Sequence, residues 1–219
     1  MVKGETKVNI DVAKGNVAED ISNVSVKRYT KEIKKDTIYV KVKRITDVVL
    51  STIALIVLAP VFAIIALAIK IESKGPVFFK HTRIGKNGKI IKIYKFRSMV
   101  QNAEDLIQKF TPEQMKEFKE NYKLTDDPRI TKIGNFLRKT SLDELPQLIN
   151  IIKGELSIIG PRPVIQEELE KYGADAQKFL SVTPGLTGYW AANGRSDTTY
   201  EQRMEMELYY VDNLSMKLD

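Results

Sequence analysis

Cysteine is absent from this chain of 219 residues, and histidine occurs once, as His81. Together these shortages argue against a disulfide scaffold, a Cys/His zinc site and a Ser-His or Cys-His nucleophile system. Any catalytic role then falls to Asp, Glu, Lys, Arg, Tyr, Ser or Thr. Tryptophan also occurs once, as Trp190, which offers little stacking surface for nucleic acid. Internal repeats and low-complexity tracts are missing too. A length of 219 residues with 43% hydrophobic content suits one compact domain, or one domain with appendages.

Charge is present but unevenly placed. The net charge is +7, and residues 41–100 alone carry twelve Lys/Arg against two Asp/Glu. That basic block contains the longest uncharged run, residues 48–69, "VVLSTIALIVLAPVFAIIALAI". A straight helix of that length measures roughly 33 Å, close to the ~30 Å hydrocarbon core of a bilayer. Pro60 stands in its middle, and a proline costs an ordinary helix interior about 3 kcal/mol. Lys41, Lys43 and Arg44 precede the run, and Lys70, Lys74 and Lys80 follow it. A spanning helix normally shows an asymmetry in flanking Lys/Arg. Here both ends want the same, cytoplasmic side. The favoured reading is a re-entrant helix broken at Pro60, entering and leaving by one face, with the polar body on anionic lipid headgroups; a single span is the alternative.

Residues 1–40 lack a sustained period and read as a polar tail; residues 41–75 are the membrane-inserted helix and its flanks. Residues 76–219 form the globular, catalytic part, mixed α/β and helix-rich. Asn87-Gly88 signals a short β-hairpin with arms 77–84 and 90–96. Helices are predicted over 100–122 (with a restart at Thr111-Pro112), from Leu145 to a stop at Gly154, over 167–180 and over 200–211. "SIIGPRPV" leaves the second of these in extended form, and "TPGLTGYW" is a turn-rich loop.

The candidate chemistry lies in "TSLDELP", residues 140–146. Ser141 and Glu144 have the spacing of a capping box, but that register puts Pro146 where it would break a formed turn. With Asp143 as the N-cap, Pro146 falls where no intrahelical N–H is needed. Asp143 then sits at a helix mouth, whose dipole lowers a carboxylate's pKa. Spacing alone leaves a structural cap and a reactive carboxylate both open. The company it keeps tips the reading: Lys95, Arg97, Arg129, Arg138, Arg162 and Arg195 all occupy short, turn-like contexts, as a phosphate-rich substrate requires. Mg²⁺ takes one or two carboxylates and completes its shell from phosphates and water. An Asp attacking phosphorus is a covalent route open to a chain so poor in histidine.

"KRITDVVLSTIALIVLAPVF", "KIYKFRSM", "DDPRITKIGNFLRKTSLDELPQLINIIKGELSIIGPRP", "TPGLTGYWAANGRSD" and "LYYVDNLSMKLD" occur in that order. From residue 41 to 219 the chain resembles the bacterial sugar transferases, the monotopic phosphoglycosyl transferases. The resemblance implies transfer of a sugar 1-phosphate from a nucleotide diphosphate sugar, usually a UDP-sugar, to polyprenyl phosphate. It implies Mg²⁺, release of UMP, the cytoplasmic face of the bacterial inner membrane, and downstream glycosyltransferases as partners. It assigns Asp143 as the nucleophile of a ping-pong reaction through an aspartyl phosphosugar, and Glu144 as the metal ligand. Arg138, Arg162, Arg195 and Lys95 match phosphate-contacting or active-site cations, and Pro60 matches the helix break. Three features depart from the pattern: Ala59 stands where a serine often precedes the proline, many relatives continue past the position of Asp219, and residues 1–40 have no counterpart. A basic peripheral membrane module that recruits partners is the rival reading; it leaves the dyad and the later arginines unexplained.

Overall fold

The computed structural model describes residues 37–121, 124–194 and 197–219. Most of the predicted tail therefore lies outside the described residues, and its last four positions already belong to a helix. Helix α1 (Thr37–Glu72) is followed by an antiparallel hairpin, β1 (Phe78–Ile84) and β2 (Ile90–Phe96). Asn87 and Gly88 turn the hairpin with φ of 59° and 76°, which is why these two residue types stand there. A 3₁₀ turn (Asp105–Lys109) and α2 (Pro112–Asn121) replace the single helix expected over 100–122. The restart falls where predicted: the Thr111 hydroxyl accepts the Gln114 N–H at 3.2 Å.

Helix α3 (Lys132–Lys139), a 3₁₀ turn (Leu142–Glu144) and α4 (Gln147–Lys153) follow, and Gly154 ends α4 at φ 79°. Strand β3 (Ser157–Ile159) leads to α5 (Gln166–Glu170) and α6 (Ala176–Phe179). Gly173 at φ 49° divides these two, where the sequence predicts one helix. "TPGLTGYW" holds a strand that sequence reading missed. Strand β4 (Gly185–Thr187) pairs in parallel with β3 through Ser157↔Gly185 and Ile159↔Thr187, and α7 (Tyr189–Ala192) succeeds it. Three residues are too few to show a period. Helix α8 (Tyr200–Asp212) opens with a capping box from Thr199 and Gln202.

Helix α1 corrects the membrane reading in one respect. It continues through Pro60 as a single element of 36 residues, not two separate legs. A proline deletes one N–H and its bond, which bends or weakens a helix without ending it when packing holds both sides. Packing does hold both sides. Ala54, Leu55 and Leu58 lie against Ile91, Ile93, Leu148, Ile151 and Leu156, while Val61, Phe62, Ile65 and Ile69 lie with Phe96 and Leu137. These positions recur at three- and four-residue intervals and form one buried stripe. Pro60 is exposed, away from it.

The polar residues of the first turns are also used inward. Asp47, 5% exposed, accepts the Ile158 N–H at 2.9 Å. Arg44 donates to the carbonyls of Ile151 and Ile152, at 2.5 and 2.6 Å, and so caps α4 from a distant element. Lys43 pairs with the Asp219 carboxylate, which also accepts from the Tyr39 and Tyr210 hydroxyls at 2.7 Å each. The basic flank expected to face headgroups is thus partly structural. On the other side of α1, Ile45, Ile53, Ile56, Val57, Ile64, Leu67 and Ile71 are all more than half exposed, a continuous apolar face.

Candidate active site

The hairpin register sets the first wall. Phe79↔Lys95, His81↔Ile93 and Arg83↔Ile91 are directly opposite and therefore share one face of the ribbon. Ile91 and Ile93 pack in the core, and Ile93 joins His81, Arg83 and Lys95 in lining a cleft of about 350 Å³. Opposite them stand Ser141, Glu144 and Gln147, and the cleft continues past Arg162 to Thr187 and Trp190. Lys95 Nζ meets Glu144 Oε1 at 2.7 Å. Asp143 is buried in the wall behind this pair, 8% exposed, and does not itself line the cleft.

The dyad is registered against Lys95 by Asn150, which is fully buried on α4. Its amide donates to Lys92 O at 2.8 Å and Glu155 Oε2 at 2.6 Å, and its oxygen accepts the Tyr94 N–H at 2.9 Å. Asn150→Ala leaves two backbone groups of β2 unpaired in the interior, so a loss of roughly 2–4 kcal/mol is expected. Urea unfolding of the variant checks this as a lower midpoint at unchanged slope.

Neither register expected for "TSLDELP" occurs. Ser141 adopts φ 58°, Leu142–Glu144 make a 3₁₀ turn, and Pro146 directly precedes α4 at φ −62°. Asp143 is consequently one turn short of the helix mouth. Burial pushes its carboxyl above the ordinary aspartate range, against the opposing pull of Lys95 and Arg138. The expected lowering does not arise, because desolvation outweighs any dipole at that distance.

The arginines divide sharply. Arg138 donates from Nε to Ser98 Oγ at 2.8 Å and contributes positive potential at Asp143. That placement depends on Gly134, where a Cβ would lie 2.0 Å from Ser98 O, so α3 can approach the β2 exit. Arg162 lines the cleft. Arg97 instead donates to the carbonyls of Lys74 and Ser73, at 2.7 and 2.8 Å, and fixes the exit of α1. Arg129 is buried, forked onto Asp127 at 2.8 and 2.7 Å, with its guanidinium 5.1 Å from the rings of both Phe110 and Phe118. Both side chains are engaged within the fold, and neither lines the cleft. Arg195 lies outside the described residues.

Sequence reading missed His81 and Arg83, although the i, i+2 alternation opposite Lys95 carried the signal. Burial, then Arg83 and Lys95, pulls His81 down to about 4, so the imidazole is neutral near pH 7. Arg83 makes no side-chain hydrogen bond among the described residues, and burial draws it down only to about 10, so it stays cationic. Arg162 is held by its backbone, whose N–H donates to both oxygens of Glu207 at 3.0 and 3.1 Å.

Glu207 is 2% exposed, and burial pushes it up to about 7 against the Arg162 N–H and Arg203. A carboxyl raised on folding binds its proton more tightly in the folded state. Stability from this group is therefore present below the unfolded range near 4.5 and lost as pH rises through about 7. Melting curves at pH 5 and pH 8 should show a fall of several degrees that Glu207→Gln removes.

The model of the bacterial sugar transferase family matches residues 38–219. The exopolysaccharide production protein ExoY of Sinorhizobium fredii is 46% identical over 81% of this chain and 80% of its own length. The chain belongs to the bacterial sugar transferase family. The undecaprenyl-phosphate galactose phosphotransferase of Salmonella typhimurium is 41% identical over 80% of this chain. The UDP-glucose:undecaprenyl-phosphate glucose-1-phosphate transferase of Escherichia coli is 42% identical over 81%. In both cases the match spans 37% of the relative's length, so this sugar transferase corresponds to one part of those proteins.

The residues of this sugar transferase suit a hard divalent cation in a limited way. Among the described residues no three His, Asp or Glu side chains converge as a ready-made metal cage. Glu144, a hard oxygen donor with its side chain 30% exposed at the cleft, can offer one ligand. That is the pattern of Mg²⁺, which draws its remaining ligands from substrate phosphates and water.

Proposed function

We propose that the chain transfers a sugar 1-phosphate from a UDP-sugar to polyprenyl phosphate at the cytoplasmic face of the bacterial inner membrane. The observation that carries this reading is the cleft. Glu144 and Lys95 stand at one wall with Asp143 buried beside them, and two guanidinium groups, Arg83 and Arg162, face the same space without a hydrogen-bonded acceptor among the described residues. Such a cleft has cationic donors to spare for a diphosphate.

Asp143 attacks the phosphorus that bears the sugar; the bridging P–O bond breaks, and UMP departs with the bonding electrons. An oxygen of polyprenyl phosphate then attacks the same phosphorus and returns the carboxylate, leaving a polyprenyl diphosphosugar. Lys95 and Arg138 hold Asp143 toward its ionised form against burial. Arg83 and Arg162 orient the diphosphate, and Glu144 is the residue that would hold Mg²⁺. The ion supplies charge neutralisation on the phosphates. The test is exchange of labelled UMP into UDP-sugar with no acceptor present. Exchange is expected for a ping-pong route; turnover without exchange would mean direct transfer.

The apolar outer face of α1 supports membrane contact from one side. Both halves of α1 pack on the globular part, so a transbilayer path would drag charged elements through hydrocarbon. The natural chain has no cysteine, which makes labelling clean. In inverted membrane vesicles, Lys41→Cys and Lys74→Cys should both react with an impermeant thiol reagent. Reaction of only one would establish a crossing.

A further inference from the structure

Two loops leave parallel strands at the same height. Ile159 on β3 is paired with Thr187 on β4, and three residues beyond each come Arg162 and Trp190. The loops also touch: a Cβ on Gly188 would lie 2.1 Å from Gly160 O. Arg162 and Trp190 therefore emerge side by side at the carboxyl end of the strand pair, and both line the cleft. Open α/β sheets keep their ligands at that end.

Trp190 is unusually well held for a residue on a four-residue helix. Its Nε1–H donates to Thr198 Oγ1 at 2.7 Å. The Arg203 guanidinium lies over its ring at 4.9 Å and over the Tyr200 ring at 5.1 Å. Arg203 is 8% exposed and does not line the cleft, so the indole stands between this guanidinium and the open space. Arg203 in turn donates from Nη1 to Glu168 Oε1 at 3.2 Å, while its Nε and Nη2 are buried without a partner among the described residues. Tyr189, the preceding residue, is tied to α8 by a ring contact with Tyr209 at 5.0 Å. A cation kept dry at the cost of two unmet donors makes sense if it fixes the ring in front of it.

We propose that Trp190 is the platform on which the pyrimidine base of the donor nucleotide stacks, with Arg203 as its positioning residue. This inference rests on the nucleotide diphosphate sugar reading. It gives the cleft a direction: base against Trp190, diphosphate against Arg162 and Arg83, and the sugar-bearing phosphorus toward the dyad. A planar base on an indole face is worth a factor of roughly 5 to 150 in affinity.

Because Trp190 is the sole tryptophan, its emission reports on this wall alone. Titration of the full chain with UMP should quench that emission, and ribose 5-phosphate, which keeps the phosphate and lacks the base, should not. Trp190→Leu should raise the KM for UDP-sugar roughly 5- to 150-fold with kcat little changed. Inhibition by ribose 5-phosphate should be unaltered in that variant, and Trp190→Phe should restore most of the affinity. UMP that inhibits turnover without changing the emission would overturn the platform and leave the transferase reading intact. So would a Trp190→Leu variant that loses UMP and ribose 5-phosphate equally. Absence of both turnover and nucleotide inhibition in the natural chain would overturn the donor reading and the platform with it.

Discussion

Asp143→Asn should abolish transfer, by roughly 10⁴-fold or more, and should also abolish labelling of the protein by UDP-sugar carrying label in the sugar. The two readouts test different things. A carboxamide is nearly isosteric, so the 3₁₀ turn and the Lys95–Glu144 pair beside it should survive, and melting should show a protein at least as stable. Stability should even rise, because desolvating a buried carboxylate costs more than desolvating an amide. A variant that is folded, inactive and unlabelled identifies Asp143 as the attacking group. Retained labelling would move the nucleophile elsewhere, and Glu144 would be the first candidate.

Lys95→Ala should cost roughly 10²- to 10³-fold in kcat/KM, on the scale of removing one preorganised charge from a site where negative charge gathers. The lysine sits 2.7 Å from Glu144 and is the largest charge acting to keep Asp143 ionised. Its removal leaves two adjacent carboxylates facing each other with Arg138 as the remaining cation named at Asp143. Lys95→Arg keeps the charge but replaces a point donor with a planar fork on a longer reach, so partial recovery is expected. Steady-state kinetics with the donor varied at fixed acceptor check both variants. An alanine variant within a factor of three of the natural chain would remove Lys95 from the reaction.

Residue type and context single out Glu144, Lys95 and Arg162, which the fold brings to one cleft, and Asn87-Gly88 marks the hairpin. What escaped was decided by partners distant in sequence. Whether an arginine is spare depends on acceptors such as the Ser73 and Lys74 carbonyls that occupy Arg97. Arg129 was more legible: Asp127 stands two residues before it in the same turn, and that pairing could have been suspected. The ionisation of Asp143 was misread because a helix-end rule is local, while burial is contributed by every element packed around the turn. Strand β4 was missed because three residues, two of them in contact with a neighbouring loop, carry no alternation to detect. Pro60 reads as a break in the sequence, yet α1 runs on through it, and the packing that carries it past comes from β2, α3 and α4.

The inward-facing charges of α1 also set an order of events during synthesis. Arg44 finds its carbonyl partners 107 and 108 residues later, and Tyr39 finds the Asp219 carboxylate 180 residues later. At about 5–20 residues per second, α1 is complete roughly seven to thirty seconds before its last partner exists. For that interval its whole circumference is apolar surface interrupted by unpaired charge. Until then the inward face of α1 has no intramolecular partner, so the catalytic half closes onto a helix made well before it.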